Sequence, residues 1–286
     1  MKIGVYYGDS KIQSLVADAL ARGIIANGHK AEVLHDKKYT QDFDGVAFYG
    51  MSVPHITAWK EYKATGKPAI MVDLGYLGSD RGSSGTGYLK VAVNYWHPTA
   101  YFQKFKHLGD RLAQFKLQIK PMRNTGSTIL LAGIGPKSAV LYGMKHQSWD
   151  EYAVNEIKKH TKRKIIYRAK PSGVGSFKPI PGTVWSDPTI PIGKLLSDTW
   201  AVVTHHSNVA VDGIMEGIPC FVNDGVSKAI GLSDLSQIEN PRMPKMTEQR
   251  QFLADLAYTQ WTLDEIATGK TWQHFDKEGL FTDPQL

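Results

Sequence analysis

Trp200-Ala201-Val202-Val203-Thr204-His205-His206-Ser207-Asn208-Val209-Ala210-Val211-Asp212-Gly213-Ile214-Met215-Glu216-Gly217-Ile218-Pro219-Cys220-Phe221-Val222 reads as one strand–helix–strand step. Trp200 to Thr204 is apolar and rich in valine, the composition of a strand covered on both faces. Asn208 to Glu216 has helical spacing, and Gly217-x-Pro219 ends that helix and turns the chain into a second strand, Pro219 to Asn223. Between strand and helix stand His205, His206, Ser207 and Asn208. Unpaired N–H groups and the positive end of a helix dipole at such a place suit phosphate oxygens. A Ser-Asn pair there is equally an ordinary N-cap, so the phosphate reading needs support from elsewhere in the chain.

Two further strand ends supply it. Strand Thr128 to Ala132 runs into a glycine turn, Gly133-Ile134-Gly135-Pro136-Lys137-Ser138, and strand Lys164 to Arg168 ends in Arg168-Ala169-Lys170. Ligands of open parallel sheets bind at the carboxyl ends of strands. The expected phosphate-binding set is therefore Gly133, Gly135, Lys137, Arg168, Lys170, His206, Ser207 and Asn208. Kinase-type phosphate loops are excluded by spacing, because Gly269-Lys270-Thr271 has Asp264 where the first glycine belongs and Pro136 interrupts Gly135 and Lys137. Gly4 and Gly8 do not complete a G-x-G-x-x-G dinucleotide fingerprint.

Residues 200–222 resemble the donor half of GT-B glycosyltransferases, in which a Ser or Thr opens this helix and the helix continues E-A-L-x-x-G-x-P. The resemblance implies two Rossmann-like domains facing a cleft, with a UDP-sugar, UDP-glucose as the best reading, bound as donor substrate. It implies metal-independent sugar transfer to a hydroxyl, with no cofactor. Asp212 stands where the family has the Glu that binds the nucleotide ribose, one methylene shorter. Lys67-Pro68-Ala69-Ile70-Met71-Val72-Asp73-Leu74-Gly75-Tyr76 resembles a strand of phage DNA-modifying glucosyltransferases whose terminal Asp deprotonates the acceptor hydroxyl. That resemblance implies Asp73 as base and hydroxymethylated pyrimidine in DNA as acceptor. Asp9, after the first strand, is the rival carboxylate. The alternatives are a capsule or cell-surface glycan glycosyltransferase and a non-catalytic nucleotide-sugar-binding protein.

The 286 residues exceed one ordinary domain. Strand-length apolar runs alternate with helical segments throughout, the pattern of parallel α/β layers. Strands are expected over residues 2–7, 30–35, 45–49, 68–73 and 88–94, and helices over 11–27 and 56–64. A glycine-rich loop is expected from Gly75 to Gly87 and a polar linker from Lys116 to Ser127. The expected domains are residues 1–120 on the acceptor side, 121–245 binding the nucleotide sugar, and 246–286, a helical tail crossing back onto the first. A single cysteine excludes an intrachain disulfide and any cysteine-built metal cage. No apolar window reaches membrane-spanning length and the first residues lack a signal-peptide pattern, so the expected location is the cytoplasm, the host's if phage-encoded. The oligomeric state stays open.

A formal net charge of +7 permits attraction to nucleic acid without requiring it. Aromatic and basic residues interleave from Tyr95 and Trp96 through Lys104, Lys106 and Arg111, which suits stacking on bases and equally suits a core helix with a wet face. The cations from Lys158 to Lys164 read as solvated surface, and Asp42-Phe43-Asp44 as a solvated turn and not a metal motif.

Overall fold

The computed structural model describes residues 1–78, 87–99, 101–187 and 189–282. Residues 79–86, most of the expected glycine-rich loop, lie outside the described residues. The chain divides into two compact units, Met1–His107 with Asp255–Leu286, and Leu108–Ala254.

The first unit holds a six-stranded sheet. Its strands are β1 (Lys2–Tyr7), β2 (Lys30–His35), β3 (Gly45–Tyr49), β4 (Ala69–Leu74), β5 (Leu89–Val93) and, from the tail, β11 (Gln260–Trp261), in the order β11-β5-β4-β3-β1-β2. The first four are parallel, β5 pairs antiparallel with β4, and β11 pairs antiparallel with β5. Ser10 opens the helix Lys11–Ala26 with a capping box, its hydroxyl accepting from Gln13 N while Gln13 accepts from Ser10 N. That helix buries Val16, Leu20 and Ile24 in the core under β1 and β3. Gly23 is required by a close approach: a Cβ there would stand 2.0 Å from the carbonyl oxygen of Ile266, so the tail helix Leu263–Ala267 packs directly against it.

The tail, expected to be helical, is interrupted by a strand. Helix Met246–Ala257 ends before β11, and Thr262 then caps a new helix through Glu265. Gln260 causes the interruption, because its buried side-chain oxygen accepts from the backbone N–H groups of Tyr76 and Leu77. A helix there would withdraw that acceptor and leave two buried donors unmatched.

The second unit contains five parallel strands: β6 (Thr128–Ala132), β7 (Lys164–Arg168), β8 (Val184–Trp185), β9 (Thr199–Thr204) and β10 (Cys220–Val222), in the order β10-β9-β6-β7-β8. Every residue of β9 is buried, as its valine-rich run requires. Trp149, Ala153 and Ile157 of the helix Ser148–His160 cover Ile129 and Leu131. Gly217 has φ +74°, and a Cβ there would meet the Pro121 carbonyl oxygen at 2.0 Å. The stretch Lys116 to Ser127 is irregular, as expected of a linker, yet it is bonded to this unit through Lys120 N to Met215 O (2.9 Å) and Arg123 N to Gly217 O (2.7 Å).

Strand order reverses between β1 and β3 in the first unit and between β6 and β9 in the second. The carboxyl ends at those reversals are where an open α/β sheet presents its crevice.

Candidate functional site

At the reversal in the second unit, Ala132 of β6 pairs in register with Thr204 of β9 and with Arg168 of β7, so the three strand ends singled out in the sequence are neighbours. The Thr204 hydroxyl donates to the Ala132 carbonyl oxygen (2.9 Å) and accepts from Ser207 N (3.2 Å), folding the loop back over β6. His206 Nε2 lies 3.1 Å from the Ser138 hydroxyl, and His205 Nδ1 lies 3.0 Å from His206 Nδ1, one ring donating and the other accepting. The Tyr142 ring packs 4.5 Å from His205, and its hydroxyl donates to Asp224 at 2.5 Å. Burial holds the His205 imidazole below its ordinary pKa, with Asp224 opposing and Lys228 assisting.

The glycine turn has a second duty that the sequence did not reveal. Gly133 N donates to Arg168 O (3.0 Å) and Ile134 N donates to the buried Asp150 carboxylate (3.0 Å), which also accepts from the Tyr167 hydroxyl (2.6 Å). A Cβ on Gly133 would fall 2.7 Å from Asp150 Oδ2, so this glycine makes room for the Asp150–Tyr167 pair. Burial raises the Asp150 pKa. A Cβ on Gly135 would stand 2.7 Å from Cδ of Lys170, whose aliphatic stem lies across the turn and leaves the residue exposed. Lys137 is exposed on the first turn of the helix Pro136–Leu141. Arg168 is half-buried, one guanidinium nitrogen 3.5 Å from the Asp187 carbonyl oxygen, and burial lowers its pKa.

Ser207 and Asn208 precede the helix Val209–Met215; Asn208 is the N-cap without a side-chain capping bond, and the Ser207 hydroxyl accepts from Val209 N (3.3 Å) in a turn just before it. Asp212 lies in the helix's first turn and is buried, and its charge adds to the burial that raises the Cys220 thiol's pKa. Tyr142, Ser138, Asp150 and Asp224 were not singled out from the sequence. They lie up to 86 residues from one another and carry no local motif.

In the first unit, Asp73 is the penultimate residue of β4 and pairs in register with Lys90 of β5. The Lys90 ammonium is buried 3.9 Å from Asp73 Oδ2, over the rings of Tyr76 (5.6 Å) and Trp96 (5.8 Å). Leu74 N donates to Asp73 Oδ1 at 2.8 Å. Burial, and after it the Asp73 charge, push the nearby Tyr49 hydroxyl up to about 12. Asp9 lies beside the β1–β3 reversal and is exposed. His35 Nε2 stands 3.0 Å from its carboxylate and holds its pKa below the usual carboxylate range. His35 Nδ1 faces Asp36 Oδ1 at 3.1 Å, and Asp36 Oδ2 is 3.9 Å from the buried His55, whose pKa is lowered by burial. Lys90, His35, Asp36 and His55 were missed. Lys90 had one signal, a cation inside the apolar run Leu89 to Val93.

The basic and aromatic stretch is divided: most of its aromatic rings are core, while Lys104 and Lys106 are exposed. Trp96, Tyr101 and Phe102 are buried, Trp96 packing edge-on to Trp59 at 6.4 Å, so Trp96 presents no open face for a base. Arg111 is buried too, a correction to its reading as a surface cation, and Lys106 pairs with Asp255 at 3.7 Å. Asp44 accepts from Lys2 N (2.7 Å) and Asp42 from Thr40 (2.5 Å), which makes them turn residues. No helix among the described residues is long and apolar enough to cross a membrane.

No protein-family model matches the chain, and no curated protein matches its sequence. Solved structures do match. The Thermosulfurimonas dismutans KpsC β-Kdo 2,7-transferase is 12% identical with a TM-score of 0.54, over 96% of this chain and 99% of that one. The β-Kdo 2,4-transferase of the same organism's KpsC is 13% identical with a TM-score of 0.46, over 89% and 98%. The UDP-GlcNAc 2-epimerase of Methanocaldococcus jannaschii is 9% identical with a TM-score of 0.35, over 97% and 100%. The fold is α/β, with two Rossmann-like units of the GT-B type.

Proposed function

We propose that this chain is a glycosyltransferase that moves a sugar from a nucleotide diphosphate-sugar to an acceptor hydroxyl, the donor being held by the second unit. The observation that carries the reading is the convergence, at the β6–β9 reversal, of Ser138, His206 and Ser207 with the cations Arg168 and Lys170 at the adjoining end of β7. As the anomeric carbon's bond to the diphosphate oxygen breaks, negative charge grows on the leaving group. Arg168, Lys170 and the imidazole of His206 are the groups of this chain suited to take up that charge. Asp212 is assigned to the ribose. Asp73 is assigned as base, accepting the hydroxyl proton while the acceptor oxygen bonds to the anomeric carbon. Asp9, exposed and paired with His35, is the rival base.

For the acceptor, the reading is a hydroxyl of a glycan. The burial of Trp96 and Arg111 takes one stacking ring and one cation away from a DNA surface, while the Asp73 strand and the net charge of +7 keep hydroxymethylated DNA as the second reading. The test is incubation of the protein with UDP- and dTDP-sugars, with glycan acceptors or hydroxymethylated duplex DNA, read by mass spectrometry of products and by nucleotide release. Acceptor-dependent release of nucleoside diphosphate supports the proposal. Binding without turnover of any donor would make the chain a nucleotide-sugar binder, and a glycosylated nucleoside would restore the DNA acceptor.

A further inference from the structure

We propose that the first unit carries a divalent transition-metal site, built from His107, His274 and Glu278 and distinct from the nucleotide site. One donor atom from each of the three lies within 4.8 Å of the others. His274 and Glu278 are four residues apart at the end of the helix Lys270–Lys277, the spacing that puts two side chains on one helix face. His107 comes from the segment after the short helix Tyr101–Lys104. Its Nε2 lies 3.9 Å from Glu278 Oε1, and the Tyr101 hydroxyl oxygen lies 3.0 Å from that Nε2 and 2.9 Å from Nε2 of His274. Both imidazoles thus direct the same nitrogen at one point, with a carboxylate beside it.

The surroundings of His107 are those of a metal-ligating histidine. Asp255 Oδ1 accepts from the backbone N of His107 (2.7 Å) and lies 3.2 Å from Nδ1. A carboxylate at Nδ1 fixes the proton there and makes Nε2 the accepting nitrogen, which the Tyr101 hydroxyl faces at 3.0 Å and a metal would take over, the carboxylate–histidine–metal arrangement. The Tyr258 ring stacks on His107 at 4.2 Å and Trp261 lies 5.3 Å from His274, so the pair sits against apolar surface where an ion's charge is weakly screened. Two imidazoles and one carboxylate, with the Tyr101 hydroxyl or a water as fourth group, suit Zn²⁺ or Co²⁺ better than the all-oxygen preference of Ca²⁺ or Mg²⁺. With Zn–N near 2.0–2.1 Å, tetrahedral ligands stand roughly 3.3 Å apart, so binding would draw these side chains together by about an ångström.

The role assigned is a clamp. His107 is the last residue of the unit's first segment and Asp255 the first of its second, so a metal here would tie the tail helix to both places where the chain crosses the unit's boundary.

The test uses the untagged full chain, stripped with a chelator and titrated with Zn²⁺ and separately Co²⁺ by calorimetry, with thermal unfolding in parallel. Expected are one ion per chain at micromolar affinity or tighter and a raised Tm. Affinity should fall at least tenfold in His274→Gln and in Glu278→Gln, and stay unchanged in His160→Gln, an exposed histidine elsewhere. Asp255→Asn should weaken binding by about ten- to a hundredfold without abolishing it. The proposal is overturned if the wild-type chain shows no saturable binding, or if a folded His274→Gln/Glu278→Gln double variant binds one ion as tightly as wild type.

Discussion

His206 Nε2 and the Ser138 hydroxyl, 3.1 Å apart, join the loop after β9 to the helix after β6 across the reversal of the second unit's sheet. The two strands are in register at Ala132 and Thr204, so the pairing follows from the sheet itself. If a diphosphate binds there, His206 is one of the hydrogen-bonding groups the reversal offers it, with Ser138 holding the ring. His206→Ala should weaken UDP binding about tenfold, close to 1.4 kcal/mol, and Ser138→Ala by less. Calorimetric titration of both variants with UDP checks this, and equal affinity in all three proteins would remove the pair from the site.

Asp212 is assigned to the ribose, yet it is buried near Cys220. Loss of a hydrogen bond involving a charged partner costs roughly 1.5–3 kcal/mol, about ten- to a hundredfold in affinity. Asp212→Asn, which keeps the volume, should lose that much UDP affinity with little change in Tm. A large fall in Tm with unchanged UDP affinity assigns Asp212 to the packing of helix against sheet instead.

The two first-unit carboxylates are separated by a paired substitution. Asp73→Asn should cut turnover by roughly 10²–10⁴ while donor binding persists, since the amide cannot accept the proton. Asp9→Asn should cost less. Steady-state rates with the competent donor and acceptor measure both, and a dead Asp9→Asn beside an active Asp73→Asn would move the base to the Asp9–His35 pair.

His205 gives a pH signature. Its folded pKa lies below the unfolded value of about 6.5, so the unfolded chain takes up the proton first as pH falls. The stability linked to this group is therefore complete above about pH 6.5 and is lost as pH drops toward the depressed folded value. His55 shifts in the same direction, so the informative quantity is a difference. Urea unfolding between about pH 5 and 8 should show the stability gap between wild type and His205→Gln narrowing as pH falls. A gap independent of pH would contradict the assignment.

What could be read in advance depended on whether the signal was local. Val202 and Val203 in a run without charges, a polar turn and Gly217-Ile218-Pro219 specify β9, its helix and β10 with no reference to the rest of the chain. The structure places them within a residue or two of expectation. Gly133 looked like a ligand-binding glycine, but its partners, Asp150 and Tyr167, are 17 and 34 residues away. For the stretch holding Trp96 and Arg111, base stacking and a core helix with a wet face stayed equally open, because burial is decided by distant neighbours such as Trp59. β11 has two residues and is defined by pairing with Lys90 and Leu89, some 170 positions earlier, with the Gln260 side chain bonded to Tyr76 and Leu77, none of which local periodicity encodes. Lys90, His35 and Asp36 escaped for the same reason, each being ordinary in its own strand or turn and informative only beside Asp73 or Asp9.

The most direct test of the central claim is nucleotide binding by the intact chain, followed by calorimetry with UDP and dTDP in wild type and in a His206→Ala/Lys170→Ala double variant. The account predicts one saturable site in the wild type and at least tenfold weaker binding in a double variant that unfolds at the same temperature. No binding of any nucleoside diphosphate by folded wild-type protein, or undiminished binding in the double variant, would contradict a donor site at the β6–β9 reversal.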